Sequence, residues 1–142
     1  VILVPMKSQI ASFLAGAALV AGITAVSPSR AAGPNKVYEL RTYRAAPGKL
    51  DALNARFRDK TIAIFNRHNM KSVGYWVPQD NKNNELIYIL EHPSRAEGEK
   101  NWADFQKDPE WQKVRAESEK DGSLTVKVEG VYLDPTDYSA LK

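Results

Sequence analysis

The chain has 142 residues, no cysteine, and a formal net charge of +3 from 20 basic and 17 acidic residues. The lack of cysteine excludes a disulfide scaffold and any thiolate metal site. The small net charge, with no basic stripe, argues against nucleic acid as a partner.

The first 31 residues read as a leader. Lys7 precedes the charge-free apolar run Ile10 to Val26, and the polar stretch Ser27 to Arg30 leads into Ala31-Ala32. This is the order of a secretory signal peptide, with Ser29 and Ala31 at the small-residue positions of a cleavage site after Ala31. The run is short and rich in Ala and Gly for a membrane span, which needs about 20 strongly apolar residues; an uncleaved anchor and a buried helix are the alternatives. Val1 to Pro5 precede Met6 and look like an upstream extension of the reading frame. Residues 1–31 are therefore assigned to extension plus leader, and 35–139 to a single domain. The expected location is periplasmic or secreted, with no stable membrane span after cleavage. Removal of the leader takes away Lys7 and Arg30 and no acid, so the charge falls from +3 by two, to +1.

Val37 to Tyr43 mixes β-branched and aromatic residues and reads as a strand, ended by Ala46-Pro47-Gly48. Leu50, Leu53, Phe57, Thr61, Ile64 and His68 then recur three or four apart, on one face of a helix. Asp51, Arg56, Arg58, Asp59 and Arg67 fall on the other face, and Asn69 suits a left-handed C-cap. Lys71 to Val77 is a second strand, stopped by Pro78. The polar turn Gln79 to Asn84 leads into a third strand, Leu86 to Glu91, making an antiparallel hairpin. His92-Pro93 forms a loop. Ser94 to Glu97 is a capping box that opens a second helix with Trp102 and Phe105 on one face. Asp108-Pro109 restarts that helix, with Trp111, Val114 and Ser118 continuing the buried stripe. After Asp121-Gly122, Leu124 to Leu133 is the last strand, and Asp134 to Ser139 an irregular tail.

The order β-α-β-β-α-β predicts an α+β ferredoxin-like fold: a four-stranded antiparallel sheet with two helices on one face. The second and third strands are apolar on both sides. Val73, Tyr75 and Val77 oppose Gly74 and Trp76, and Leu86, Tyr88 and Leu90 oppose Ile87 and Ile89. A bare sheet face of that kind is a sticky patch, and a second copy packed sheet to sheet is the expected cover. The tail folding over the face is the alternative.

Several strings, in order, resemble the NIPSNAP family: Val37 to Tyr43 with Pro47-Gly48-Lys49, Arg67-His68, Gly74-Tyr75-Trp76, Asp108 to Trp111, and Pro135 to Ser139. The resemblance implies the dimeric α/β-barrel superfamily, in which two ferredoxin-like units pack their sheets together. It brings no catalytic residues. Animal members carry tandem domains and a mitochondrial address, whereas this sequence reads as one domain behind a secretory leader.

Candidate chemistry is sparse. His68 and His92 are the only histidines, and neither sits in a cluster of ligand-forming residues, so no metal, haem or other cofactor is expected. Glu39 and Arg41 share one strand face. They read either as an ion pair at a sheet-to-sheet interface or as a polar pair in a pocket, with Tyr38, Leu40 and Thr42 assigned to the helix side. Tyr38, Trp76, Tyr88 and Trp102, with His68, are candidates for the lining of an apolar cleft that would hold a small apolar or aromatic ligand. The function expected is a homodimeric binding or stress-associated module. The alternative is a cofactor-independent oxygenase or isomerase, which a cavity between sheet and helices with a polar group inside would favour.

Overall fold

A computed structural model describes residues 36–142; the leader assignments lie outside these residues. Strands β1 (Val37–Ala45), β2 (Lys71–Trp76), β3 (Glu85–His92) and β4 (Thr125–Leu133) form one antiparallel sheet in the order β2-β3-β1-β4. Helical segments follow β1 and β3, and they cover one face. Leu86, Tyr88 and Leu90 of β3 are buried there with Leu53, Phe57, Ile64, Phe65 and Phe105. The intervening Ile87 and Ile89 turn to the other side and are half-buried.

The helical region after β1 is irregular. Helix α1 (Leu50–Arg56) passes through a π turn, Phe57–Thr61, into α2 (Ile62–Arg67). The Thr61 hydroxyl donates to the Arg56 carbonyl at 3.2 Å. A π turn widens the helix by about one residue, which broadens the buried stripe: Leu53, Phe57, Thr61 and Ile64 stay inside at the three-and-four spacing. Arg56 and Phe57 are both buried, as are Ile64 and Phe65. The sequence reading placed Arg56 on the solvent face; the widened turn carries it inward instead.

The region after β3 divides into α3 (Arg95–Lys107) and α4 (Pro109–Ser118). Ser94 caps α3, its hydroxyl accepting from the Glu97 N–H at 3.2 Å. Asp108 caps α4, accepting from the N–H groups of Glu110 and Trp111 at 2.8 and 3.1 Å. Both caps satisfy N–H groups that the helix itself leaves open.

Two facing assignments change. The β2–β3 register shifts between Ser72 and Gly74. Val73 therefore drops out of the alternation with Tyr75, and the Ser72 and Tyr75 hydroxyls meet at 2.7 Å. Gly74 and Trp76 share the open face, where a Cβ on Gly74 would lie 2.7 Å from the Trp76 ring. In β1 the two sides are the reverse of the sequence reading. Glu39, Arg41 and Tyr43 pair in register with Leu90, Tyr88 and Leu86, on the helix side. Tyr38, Leu40 and Thr42 take the open side. The charges are tolerated inside because each finds partners there.

Beyond Leu133 the tail comes back over one end of the open face. Pro135, Thr136, Ser139 and Leu141 enclose a pocket of about 330 Å³ with Tyr38 and Ile89. Tyr38 is only 6% exposed, while Trp76 and Val131 remain 50% and 54% exposed. Among the described residues no helix is long and apolar enough to cross a membrane.

Candidate functional site

Strand β1 carries the polar centre of the molecule. Glu39 Oε1 accepts from Arg41 Nη1 at 2.9 Å. Glu39 Oε2 accepts from Trp102 Nε1 at 2.6 Å and lies 3.0 Å from His92 Nε2. The Glu39 side chain is 3% exposed and that of His92 is wholly covered. Burial pushes the Glu39 pKa up. The hydrogen bonds of His92 and Trp102, with the Arg41 charge, outweigh it and hold the carboxyl below its usual range. The Arg41 guanidinium also stacks on the Trp102 ring, 4.4 Å from its centroid, a cation–π contact. Gly130 of β4 lies opposite Arg41. A Cβ there would come within 2.6 Å of Arg41 Nη1, so glycine leaves room for the guanidinium.

Beside this network lies a cavity of about 180 Å³ between the β1–β4 side of the sheet and the helices. Phe57, Phe65, Phe105 and Trp111 form its apolar walls, and the side chains of Arg41, Tyr43 and Arg56 also line it. The exposed residues Arg115 and Val128 line its rim. Arg56 reaches across to donate from Nη1 to Glu119 at 2.9 Å and to the Ser118 hydroxyl at 3.3 Å. Its guanidinium lies 5.2 Å from the Trp111 ring centroid. The Nε–H groups of Arg41 and Arg56 are buried with no partner among the described residues. An unpaired buried donor costs about 1–3 kcal/mol. The π turn supplies Phe57 and Thr61 to this lining, and such turns recur at functional sites.

A larger groove of about 500 Å³ runs past Asn66, Met70 and Pro93. Its two lysines, Lys36 and Lys71, are already committed to Glu91 at 3.1 and 3.3 Å. It therefore offers less unsatisfied chemistry than the smaller cavity. Among the described residues no three carboxylate or imidazole groups converge where a metal ion could be held.

The residues singled out in the sequence are dispersed. Trp102 joins Glu39 and Arg41, and Tyr88 is the cross-strand neighbour of Arg41. Tyr88 sits among Tyr43, Phe57, Phe65 and Tyr75, with ring centroids 5.1 to 6.1 Å away. Its hydroxyl has no partner among the described residues, and burial raises its pKa well above the usual tyrosine value. Tyr38 and Trp76 lie on the open face, away from the cavity. His68 follows α2 and is tied to Asp108, Nε2 to Oδ2 at 2.7 Å. That hydrogen bond leads the effects that lower the Asp108 pKa to about 2.

Two residues of this region, His92 and Arg56, lie elsewhere than the sequence predicts, and Tyr43 and Thr61 lie where it places them. The sequence predicts a loop at His92, but β3 runs one residue further and presents it to Glu39. The alternation Leu86, Leu90, His92 carried that signal. Tyr43 was legible by the same argument from Glu39 and Arg41. Thr61 falls on the buried face that the spacing predicts, whereas Arg56, expected on the solvent face, is inside.

The NIPSNAP family model matches residues 38–140. A NIPSNAP family protein of unknown function from Agrobacterium tumefaciens is 26% identical, covering 78% of this chain and 97% of its own, with a TM-score of 0.68. A second NIPSNAP family protein from that organism is 24% identical, covering 75% and 99%, with a TM-score of 0.67. A NIPSNAP-like domain protein from Burkholderia xenovorans is 20% identical over 75% and 90%, with a TM-score of 0.66. The last two speak to the fold alone. No curated protein matches the chain.

Proposed function

The chain belongs to the NIPSNAP family, and on that premise we propose that it is an exported, homodimeric small-molecule-binding protein whose ligand occupies the cavity between sheet and helices. One observation carries the reading. Two arginines, Arg41 and Arg56, line an aromatic-walled cavity of about 180 Å³, each held in place by its own carboxylate, Glu39 and Glu119. Apolar walls with a few convergent polar groups are the general form of a ligand pocket.

Binding fits this site better than proton-transfer chemistry. A general base needs a carboxylate or imidazole free to take a proton. Glu39 is held by Arg41, Trp102 and His92, and Glu119 by Arg56 and Arg115. A cavity between sheet and helices with polar groups on its wall is also what the alternative reading as a cofactor-independent oxygenase or isomerase requires, and one contact favours that reading further. The Tyr43 hydroxyl lies 3.5 Å from Arg41 Nη2 and both line the cavity, a pair able to pass a proton and steady an oxyanion. The exposed Trp76, Val131 and Leu133 support a second copy on the open face, and the order of charges and small residues in 1–31 supports export.

Native mass spectrometry of protein purified from its own host tests all three elements. The expected species is a dimer of chains beginning at Ala32 or within a residue or two, with excess mass from a retained small molecule. A bare monomer at micromolar concentration overturns the assembly. A chain that keeps Ile10 to Val26 in the soluble fraction overturns the leader. Bare chains whose melting no ring compound shifts overturn the pocket.

A further inference from the structure

The geometry points to a door over the cavity: the last turn of α4 and the loop to β4, residues 115–123, swing out to admit a ligand and are held shut by Arg56. The inference rests on reading the cavity as a ligand site and adds how that site is entered.

The need for a door comes from the walls. Phe57, Phe65 and Phe105 line the cavity, yet they are only 1 to 3% exposed. A ring compound in solvent cannot reach their faces until part of the enclosure moves. One side of that enclosure is α4, which contributes Trp111, Arg115 and Glu119. These stand four residues apart and so share one helical face.

The two ends of this wall are held very differently. At its start, the Asp108 cap is bound by His68 Nε2 at 2.7 Å and by Arg67 Nη2 at 3.3 Å, and Glu110 pairs with Arg67 at 2.9 Å. Trp111 packs on Phe105, ring centroids 4.5 Å apart, and Trp111 and Val114 are the buried residues of the helix. Beyond Val114 no residue is buried until Leu124.

Within 115–123 the contacts are local. Arg115 Nε donates to Glu119 at 3.2 Å, and the Gly122 N–H donates to the Glu119 carbonyl at 3.0 Å. Among the described residues, the hydrogen bonds that reach this stretch from elsewhere than its own ends both come from Arg56 Nη1. They run to Glu119 at 2.9 Å and to the Ser118 hydroxyl at 3.3 Å. A stretch with so few buried contacts opens locally at small cost. Gly122, at φ 107°, takes a conformation open to glycine and strained for other residues, and it supplies a swivel. Val114 and Leu124 are then the fixed posts, and the Arg56–Glu119 pair is the latch.

Hydrogen exchange of the purified chain, together with stopped-flow binding of nitrobenzene, a neutral single-ring quencher of tryptophan, tests the door. A cavity of about 150 Å³ holds one benzene molecule, so about 180 Å³ suits a probe of this size. Peptides over 115–123 should exchange about tenfold or more faster than those over α3. Glu119→Ala should speed 115–123 by a further tenfold or so, the worth of one charge-assisted contact, and leave α3 as it was. The same variant should raise the association and dissociation rates of nitrobenzene together, each about tenfold. Glu110→Gln, at the pinned end of α4, should change neither rate. If nitrobenzene binds with rates that Glu119→Ala leaves unaltered, the door is overturned while the pocket reading stands. Exchange over 115–123 as slow as in α3 overturns it as well, and so does faster exchange throughout the variant, which marks a weakened fold rather than a released latch. If neither nitrobenzene nor toluene binds, the pocket reading fails and the door with it. Should Glu119→Ala not fold, Glu119→Gln, which keeps the acceptor and loses the charge, carries the same comparison.

Discussion

On the helix side of β1, Glu39, Arg41 and Tyr43 stand in a row with their polar atoms engaged by Trp102, His92 and one another. One residue out of step, on the open side, Tyr38, Leu40 and Thr42 lie beside cross-strand neighbours such as Ile89 and Val131, and the returning tail reaches Tyr38. The usual expectation of apolar residues inside and polar residues outside is reversed along this strand. The difference teaches that a charged pair on a strand does not mark its solvent face. What decides is whether the neighbouring elements can satisfy the charges, and α3 does so through Trp102, while β3 supplies His92.

Several substitutions break or sharpen this contrast. The largest effect is expected at Glu39. Glu39→Leu leaves the Arg41 charge, the Trp102 N–H and His92 without their acceptor, and should cost about 3–5 kcal/mol in urea unfolding. Adding Arg41→Leu removes the orphaned charge and should recover part of that loss. Equal destabilisation in the single and double variants would show that the pair is not energetically coupled.

On the open face the corresponding experiment is Val131→Asp, at a position 54% exposed. The isolated fold should melt unchanged, because the new carboxylate stays in water. The homodimer should weaken by about 2–3 kcal/mol, since a symmetric contact buries the charge without a partner. Sedimentation over a concentration series reads this, and an unaffected dimer would move the interface elsewhere.

Gly130→Ala is gentler. The added methyl would press on Arg41 Nη1 at 2.6 Å, and the guanidinium can shift only by loosening its hold on Glu39. A loss of about 1–2 kcal/mol is expected from the crowding, measured by calorimetry.

The smallest effect is in acid. Asp108 has a folded pKa of about 2 against an ordinary 3.8. A depressed folded pKa contributes stability that is complete above the ordinary value and is lost as pH falls through the folded one. Melting temperature should therefore fall between pH 3.8 and about 2, and His68→Ala should flatten that part of the profile, because the His68 contact is the leading cause of the shift. A profile of the same slope in the variant would contradict this.

The element order was legible throughout, because turns such as Ala46-Pro47-Gly48 and caps such as Ser94 and Asp108 announce themselves in local chemistry. The NIPSNAP resemblance was legible for a similar reason, since its strings are short and collinear. The facing of β1 was not. Period-two alternation separates Glu39 from Tyr38 but does not say which side the helices will cover. The bulge at Val73 and the π turn after Arg56 were equally hidden, because each adds one residue to a regular period without a distinctive residue type. The cavity depends on that π turn, so the residues with the most to say about binding were the hardest to see.

The three tryptophans fall one to each region. Trp76 covers Gly74 on the open face, Trp102 donates to Glu39 beneath Arg41, and Trp111 closes the cavity beside Arg56. In optical terms the molecule carries three lamps in three rooms. A docked copy would move the emission of Trp76 to the blue, an altered Glu39 contact would register at Trp102, and an occupant of the cavity would quench Trp111. Proteins keeping a single tryptophan, the other two replaced by phenylalanine, would report assembly, the buried network and ligand separately and without labels.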